Sequence, residues 1–319
     1  MSAEPSNVEF VVDGLTYRGL CWGSSSMPTV IAIHGWLDNA LSFAKLAPLL
    51  TGYRVIALDL SGHGLSSHRS PDSSYHIWDD VPQLVGIVDQ LDLETVHVIG
   101  HSRGAGIAGV LAVALGERCT TVTMLDGMIS RSFENDDGAE LFRSSLSEKD
   151  RYTSRSPRIF NTLEDFITAR TRYGFTRENA QTLIPRALRQ LDEGWLLLSD
   201  PRLFGGSYVK LSEATTNSFY QSLQCPVLVV LGEDGFFASA DAKQRVDGIA
   251  QYAAQFRRLM VPGPHHFHLE GDVVALGEHV IEAHGADHGA DVGHGQVRDR
   301  ALEVVDFIGR ARRIHDLIE

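Results

Sequence analysis

Val98-Ile99-Gly100-His101-Ser102-Arg103-Gly104 decides how the rest of the chain is read. An apolar run from Val96 to Ile99 meets a G-x-S-x-G turn, and a run of small residues, Gly104-Ala105-Gly106-Ile107-Ala108-Gly109, follows it. A strand that turns this sharply into a helix lifts the serine at its apex out of the sheet and sets it beside free helix N–H groups. Such groups can bind a developing negative charge. Glycines two positions before and after Ser102 are what so tight a turn needs, because a Cβ there would collide with the returning chain.

The chain to either side supplies the context. Residues 8–12 and 15–22 are β-rich and joined by Asp13-Gly14, which predicts a hairpin. Residues 29–33 are a continuous apolar run of the kind found in parallel strands covered on both faces, and residues 53–60 read as the next buried strand. They end in His34-Gly35-Trp36 and in Asp59-Leu60-Ser61-Gly62-His63-Gly64. Helices are predicted over 41–50, 77–91 and 103–115, and a strand over 121–125 that ends in Asp126-Gly127. From 128 to 223 strands give way to helical periodicity, with Thr176 and Ser212 as helix caps and Pro185 as a kink or restart. Strands resume at 226–231 and 257–261, and residues 302–311 predict a last amphipathic helix. The fold class is therefore α/β. A mostly parallel sheet flanked by helices, residues 1–127 and 224–319, is interrupted by a helical insert, residues 128–223. The strand ends carry His34-Gly35, Asp59, Ser102, Asp126 and Asp234, at the edge where open sheets place ligands.

Composition excludes several classes. The 319 residues are 43% hydrophobic and 22% charged, enough for one large domain with an ample core. A formal net charge of −13 repels phosphate backbones, so no nucleic-acid partner is expected. No apolar run approaches the roughly 20 residues that span a bilayer, so no membrane partner is expected either. The polar start, residues 1–7, lacks a basic-then-apolar signal. Cys21, Cys119 and Cys225 are scattered and odd in number, and read as buried free thiols of a reducing, cytoplasmic compartment.

Serine needs a base and the base needs an acid. The base candidates lie in Gly263-Pro264-His265-His266-Phe267-His268-Leu269-Glu270. With His34-Gly35-Trp36-Leu37-Asp38-Asn39, the Asp59–Gly64 loop, Gly100–Gly104, and the pieces Gly194-Trp195 and Asp200-Pro201-Arg202-Leu203, this segment makes the chain resemble the α/β-hydrolase fold family with a helical cap, in its serine hydrolase-like branch. The resemblance spans residues 10–270. It implies Ser102 as nucleophile and His265 as base, with His266 and His268 as rivals, although Pro264 stands where the family often has Gly. It implies Asp234 as the acid at the usual position, with Asp126 as the alternative that some relatives use. Backbone N–H groups of Trp36 and Arg103 would form the oxyanion hole, and both side chains would bind substrate.

Arg103 stands where many relatives carry an apolar residue. In fluoroacetate dehalogenase relatives an arginine here grips a substrate carboxylate, although their second arginine is replaced by Gly106. The expected activity is cofactor-independent hydrolysis of a small-molecule carboxylic ester or lactone through an acyl-enzyme. The alternatives are carbon–carbon bond hydrolysis of dienoates and a non-catalytic ligand receptor. Haloalkane dehalogenases and epoxide hydrolases need a carboxylate nucleophile, which Ser102 is not. His63 and His101 read as structural. The His-rich segment 279–294, with its repeated His-Gly-Ala-Asp, fits no closed metal site, so no metal is expected.

Overall fold

The computed structural model describes residues 4–129, 138–207 and 211–285. The chain opens with a hairpin, β1 (Ser6–Val12) and β2 (Leu15–Trp22), linked by Asp13-Gly14 with Val12 opposite Leu15. β3 (Thr29–Ile33), β4 (Arg54–Leu58), β5 (Val96–His101) and β6 (Cys119–Leu125) follow, with α1 (Val81–Gln90) and α2 (Arg103–Leu115) on either side of β5 in the chain.

After β6 an insert intervenes. It contains α3 (Gly138–Thr153), β7 (Ile159–Phe160), α4 (Leu163–Thr171), α5 (Arg177–Ala187), β8 (Leu188–Leu191), β9 (Gly194–Leu197) and α6 (Glu213–Gln221). The sheet resumes with β10 (Val227–Asp234), α7 (Ala240–Asp247) and β11 (Phe256–Pro264). A short α8 (Phe267–Glu270) and α9 (Val273–Gly285) end the described chain. The eight-stranded sheet runs β1-β2-β4-β3-β5-β6-β10-β11. From β4 to β11 all neighbours are parallel, and β2 alone is reversed, antiparallel to both of its neighbours, β1 and β4.

The apolar strands serve two faces. Ile31, Ile33, Ile56, Leu58 and Val98 point into a core roofed by α1 and α2. Val30, Ala32, Val55, Ala57 and Ile99 point to the other side, against Phe43, Leu46 and the α9 residues Leu276 and Val280. The strand period of 2 thus puts alternate residues in different cores, and each buried Ile or Leu contributes about 1.5–3 kcal/mol. Among the described residues, no helix is long and apolar enough to cross a membrane.

Three expectations are corrected. Residues 41–50 form two 3₁₀ turns, Ala40–Phe43 and Ala47–Leu49, with Asn39 capping the first and Pro48 opening the second. α1 starts at Val81 and not at residue 77. The Asp79 carboxylate accepts from His76 N and Ser74 Oγ and closes a turn that keeps the preceding residues out of the helix.

The insert is not all helical. β7, β9 and β8 form a three-stranded antiparallel sheet, in which Leu188 and Leu191 pair with Leu197 and Gly194. Pro185 lies inside α5, which ends two residues later, and Leu188 then adopts an extended backbone (φ −128°, ψ 147°). Thr176 and Ser212 do cap α5 and α6 through their side chains, and Thr162 caps α4 in the same way. The expected helix at 302–311 lies outside the described residues, as does most of the His-rich segment. Of the latter, His279 and His284 lie on α9.

Candidate active site

Ser102 sits between β5 and α2 at φ 53°, ψ −118°, in the left-handed region that a non-glycine residue enters at a cost of about 1–3 kcal/mol. The surroundings hold it there: Ser102 N donates to Leu125 O (2.9 Å) and Ser102 O accepts from Ala105 N (3.0 Å). Gly104 lets α2 press on the neighbouring strand end, since a Cβ there would lie 2.3 Å from Ile33 O and 2.4 Å from His34 O.

His265 follows β11 and reaches Ser102: His265 Nε2 lies 2.9 Å from Ser102 Oγ. His265 Nδ1 lies 2.5 Å from Asp126 Oδ2. With Nδ1–H donating to the carboxylate, the Nε2 lone pair faces the serine hydroxyl. Of the rivals, His268 Nε2 contacts Ser42 Oγ at 2.9 Å, and His266 packs on Phe175 with ring centroids 3.7 Å apart. Neither is the histidine that meets Ser102.

The carboxylate that meets His265 is Asp126, not Asp234. Asp126 is fully buried at the end of β6, and besides His265 it accepts from Gly232 N (3.1 Å) and Phe236 N (2.8 Å). Asp234 is exposed. The register of β10 shifts between Gly232 and Asp234, so the loop beyond it turns its backbone donors, and not its acid, toward the site. Gly235 permits this approach, since a Cβ there would lie 2.4 Å from Asp126 Oδ1. Two aspartates that look equivalent in sequence are thus separated by loop direction.

The surrounding histidines are neutral braces. His34 Nδ1–H donates to Gly35 O (2.7 Å) while its Nε2 accepts from Leu60 N (3.0 Å), tying the two loops together. His101 Nε2–H donates to His265 O (2.9 Å). Burial pushes the imidazole pKa down at His34, His63, His101, His266 and His268, the last to about 3. His101, His265 and His266 each bring a nitrogen within 4.8 Å of the others. Both nitrogens of His265 already face Ser102 and Asp126, and His101 Nε2 is spent on a carbonyl. A resident metal would have to dismantle that arrangement, so the donor set fits it poorly.

Trp36 follows Gly35 at the end of β3, and Arg103 is the first residue of α2, where a backbone N–H has no helical acceptor. The Trp36 indole lies between sheet and insert. Its Nε1–H donates to Leu203 O (2.8 Å), and its ring meets Tyr173 and Phe204 edge-on. The Arg103 side chain braces a loop: Nη2 donates to Tyr75 O (2.6 Å) and His76 O (3.3 Å). Its Nη1 is buried and has no partner among the described residues. Burial lowers the Arg103 pKa, opposed by Asp80 and Asp79.

Sequence reasoning missed two participants. Phe236, 47% exposed, stacks on the His265 ring with centroids 3.5 Å apart. Arg170 of α4, buried in the insert, donates to the Asp38 carboxylate beyond Trp36. Nothing local in the sequence marks either, because each contact joins distant segments.

Comparison with known proteins places this geometry. Residues 28–272 match the model of the alpha/beta hydrolase fold. A serine hydrolase-like protein of Dictyostelium discoideum is 29% identical over 286 residues, covering 84% of this chain and 78% of that protein. A serine hydrolase-like protein of Danio rerio is 27% identical over 268 residues, covering 79% and 80%. The crystal structure of a hypothetical protein from Pseudomonas aeruginosa PAO1 is 33% identical with a TM-score of 0.78, covering 88% of this chain and 98% of that one. With a strand–serine–helix turn on a mostly parallel sheet and a match over more than half its length, the chain belongs to the alpha/beta hydrolase fold family.

Proposed function

We propose that this hydrolase is a cofactor-independent serine hydrolase that cleaves carboxylic esters or lactones through an acyl-enzyme. The observation that carries the reading is the hydrogen-bonded series Ser102 Oγ, His265 Nε2 (2.9 Å) and His265 Nδ1, Asp126 Oδ2 (2.5 Å). Ser102 Oγ attacks the carbonyl carbon as His265 Nε2 takes its proton. The Trp36 and Arg103 N–H groups receive the oxyanion, and Asp126 holds the imidazolium. The intermediate collapses as His265 returns the proton to the leaving oxygen. Water then attacks the acyl-enzyme with His265 again as base, releasing the acid and restoring Ser102. The insert, bonded to the loops beyond β3 and β4, serves as a cap over the substrate.

Arg103 supports a second reading on substrate choice. Its buried, unpartnered Nη1 favours a substrate that carries a carboxylate, whereas its bonds to Tyr75 and His76 carbonyls support a bracing role alone. Arg103→Met separates the two: a carboxylate site requires the rate ratio of anionic to neutral esters to fall, and a brace leaves that ratio unchanged. The three buried free thiols support a reducing, cytoplasmic setting.

A fluorophosphonate probe tests the activity. The expected result is covalent labelling of the wild type that Ser102→Ala abolishes. An unlabelled wild type, or labelling that survives the substitution, overturns the reading and favours a ligand receptor on the same fold. Where the wild type labels, hydrolysis of dienoates but not of esters or lactones by the untreated protein favours the carbon–carbon alternative.

A further inference from the structure

We propose that Arg170 is a positioning residue whose grip on Asp38 makes the set of the oxyanion loop depend on docking of the insert; this rests on the serine hydrolase reading. Gly35 to Asp38 forms a tight turn closed by Asp38 N to Gly35 O (3.3 Å), and Trp36, the oxyanion donor, is its second residue. The third residue, Leu37, has φ 59°, a conformation that favours glycine and that a branched side chain rarely holds unaided. The turn is held from outside. Trp36 Nε1 donates to Leu203 O (2.8 Å), and Asn39 Nδ2 donates to Leu183 O (3.0 Å). Between them, Arg170 Nη2 donates to Asp38 Oδ1. Of these three anchors only the last is an ion pair, and both partners are buried, Arg170 at 5% and Asp38 at 2% exposure.

The same carboxylate points toward the base. Asp38 Oδ2 lies 3.8 Å from His101 Nδ1, and His101 Nε2–H donates to His265 O (2.9 Å). The Arg170 guanidinium lies over the Phe175 ring (4.3 Å), which in turn packs on His266. One arginine of the insert therefore sits behind both the oxyanion turn and the histidine loop, without contact to Ser102. Removing it leaves a buried carboxylate unpaired at the end of a strained turn. The turn then relaxes and the Trp36 N–H leaves its place. Small displacements of catalytic donors cost one to two orders of magnitude in rate.

The experiment compares Arg170→Met, the double variant Arg170→Met/Asp38→Asn, and the control Lys45→Met, which breaks an exposed insert-to-core pair, Lys45–Glu178. Folding is followed by Tm. Chemistry is followed by the maximal inactivation rate with a fluorophosphonate, separated from the half-saturating probe concentration. Arg170→Met is expected to lower the maximal rate about 10–100-fold and to move half-saturation less than about threefold. The double variant no longer buries an unpaired charge, so its Tm recovers while its maximal rate stays at least about tenfold low. A double variant that recovers both Tm and rate overturns the proposal, because the pair is then only structural. So does a rise in half-saturation with an unchanged maximal rate in any folded variant. An unlabelled wild type overturns the hydrolase reading itself, and a labelled wild type with an unaffected double variant overturns this proposal alone.

Discussion

The sheet and the insert bury different kinds of polar group. The sheet side buries neutral imidazoles: His34, His63, His101, His266, His268 and, on α9, His284. The insert buries guanidinium groups, Arg170 and Arg186, and spends both on carboxylates of the sheet side, Asp38 and Asp59. Asp59 is itself a loop organiser that accepts from Ala40 N (2.7 Å) and Leu65 N (2.7 Å). The sheet thus sets the Ser102 turn and the histidine loop through its own backbone turns and buried imidazoles, whereas the oxyanion turn is also held from the insert. The insert is fastened by a few charges that are stable only as pairs. Chemistry should therefore fail most sharply when sheet residues change, and docking when insert arginines change.

The largest effect belongs to the sheet. His265→Ala is expected to lower kcat by about 10⁴–10⁶-fold while Tm stays within a few degrees, as measured by ester turnover and calorimetry. A loss confined to KM would place the chemistry elsewhere. On the insert side, Arg186 Nε donates to both Asp59 oxygens (3.2 and 3.0 Å). Arg186→Met leaves Asp59 buried and unpaired and should destabilise the protein by about 3–5 kcal/mol, read by denaturant unfolding. A value near zero would mean the insert is not charge-fastened.

Acid should act on the sheet side. Burial lowers the pKa of His268 and of His284 to about 3 from the usual 6.5. Below pH 6.5 the unfolded chain takes up protons that these folded imidazoles refuse, so ν_U exceeds ν_N and stability falls as pH falls. Their contribution is fully present above pH 6.5 and is lost progressively down to about pH 3. Each should remove on the order of 1–2 kcal/mol between pH 6.5 and 5. Replacing His284 by Gln should flatten the slope of stability against pH, and an unchanged slope would contradict its neutral burial. The smallest effect is at the rim: Lys45→Met should change stability by less than about 0.5 kcal/mol, because exposed pairs contribute little.

Legibility in the sequence follows the same division. β3 and β10 were readable because strands covered on both faces are nearly continuous apolar runs. The Ser102 turn was readable because its glycines are local requirements. Within the insert, caps at Thr176 and Ser212 were readable for the same reason, whereas β7, β8 and β9 were not. Each is two to four residues long and carries no alternation that separates it from a helix end. The acid was the limiting case. Asp126 and Asp234 both end apolar strands, and what distinguishes them is that the loop after β10 folds Gly232 and Phe236 N–H groups onto Asp126. Arg170 and Asp38 lie 132 positions apart and share no local signal.

The assignment of the acid is the point on which the account of the site turns. Asp126→Asn and Asp234→Asn should be compared for kcat on one ester at pH 7. The geometry predicts a loss of about 10⁴-fold for Asp126→Asn, since the amide cannot hold the productive imidazole tautomer, and a change within about twofold for the exposed Asp234→Asn. A large loss with Asp234→Asn and near-normal turnover with Asp126→Asn would contradict it.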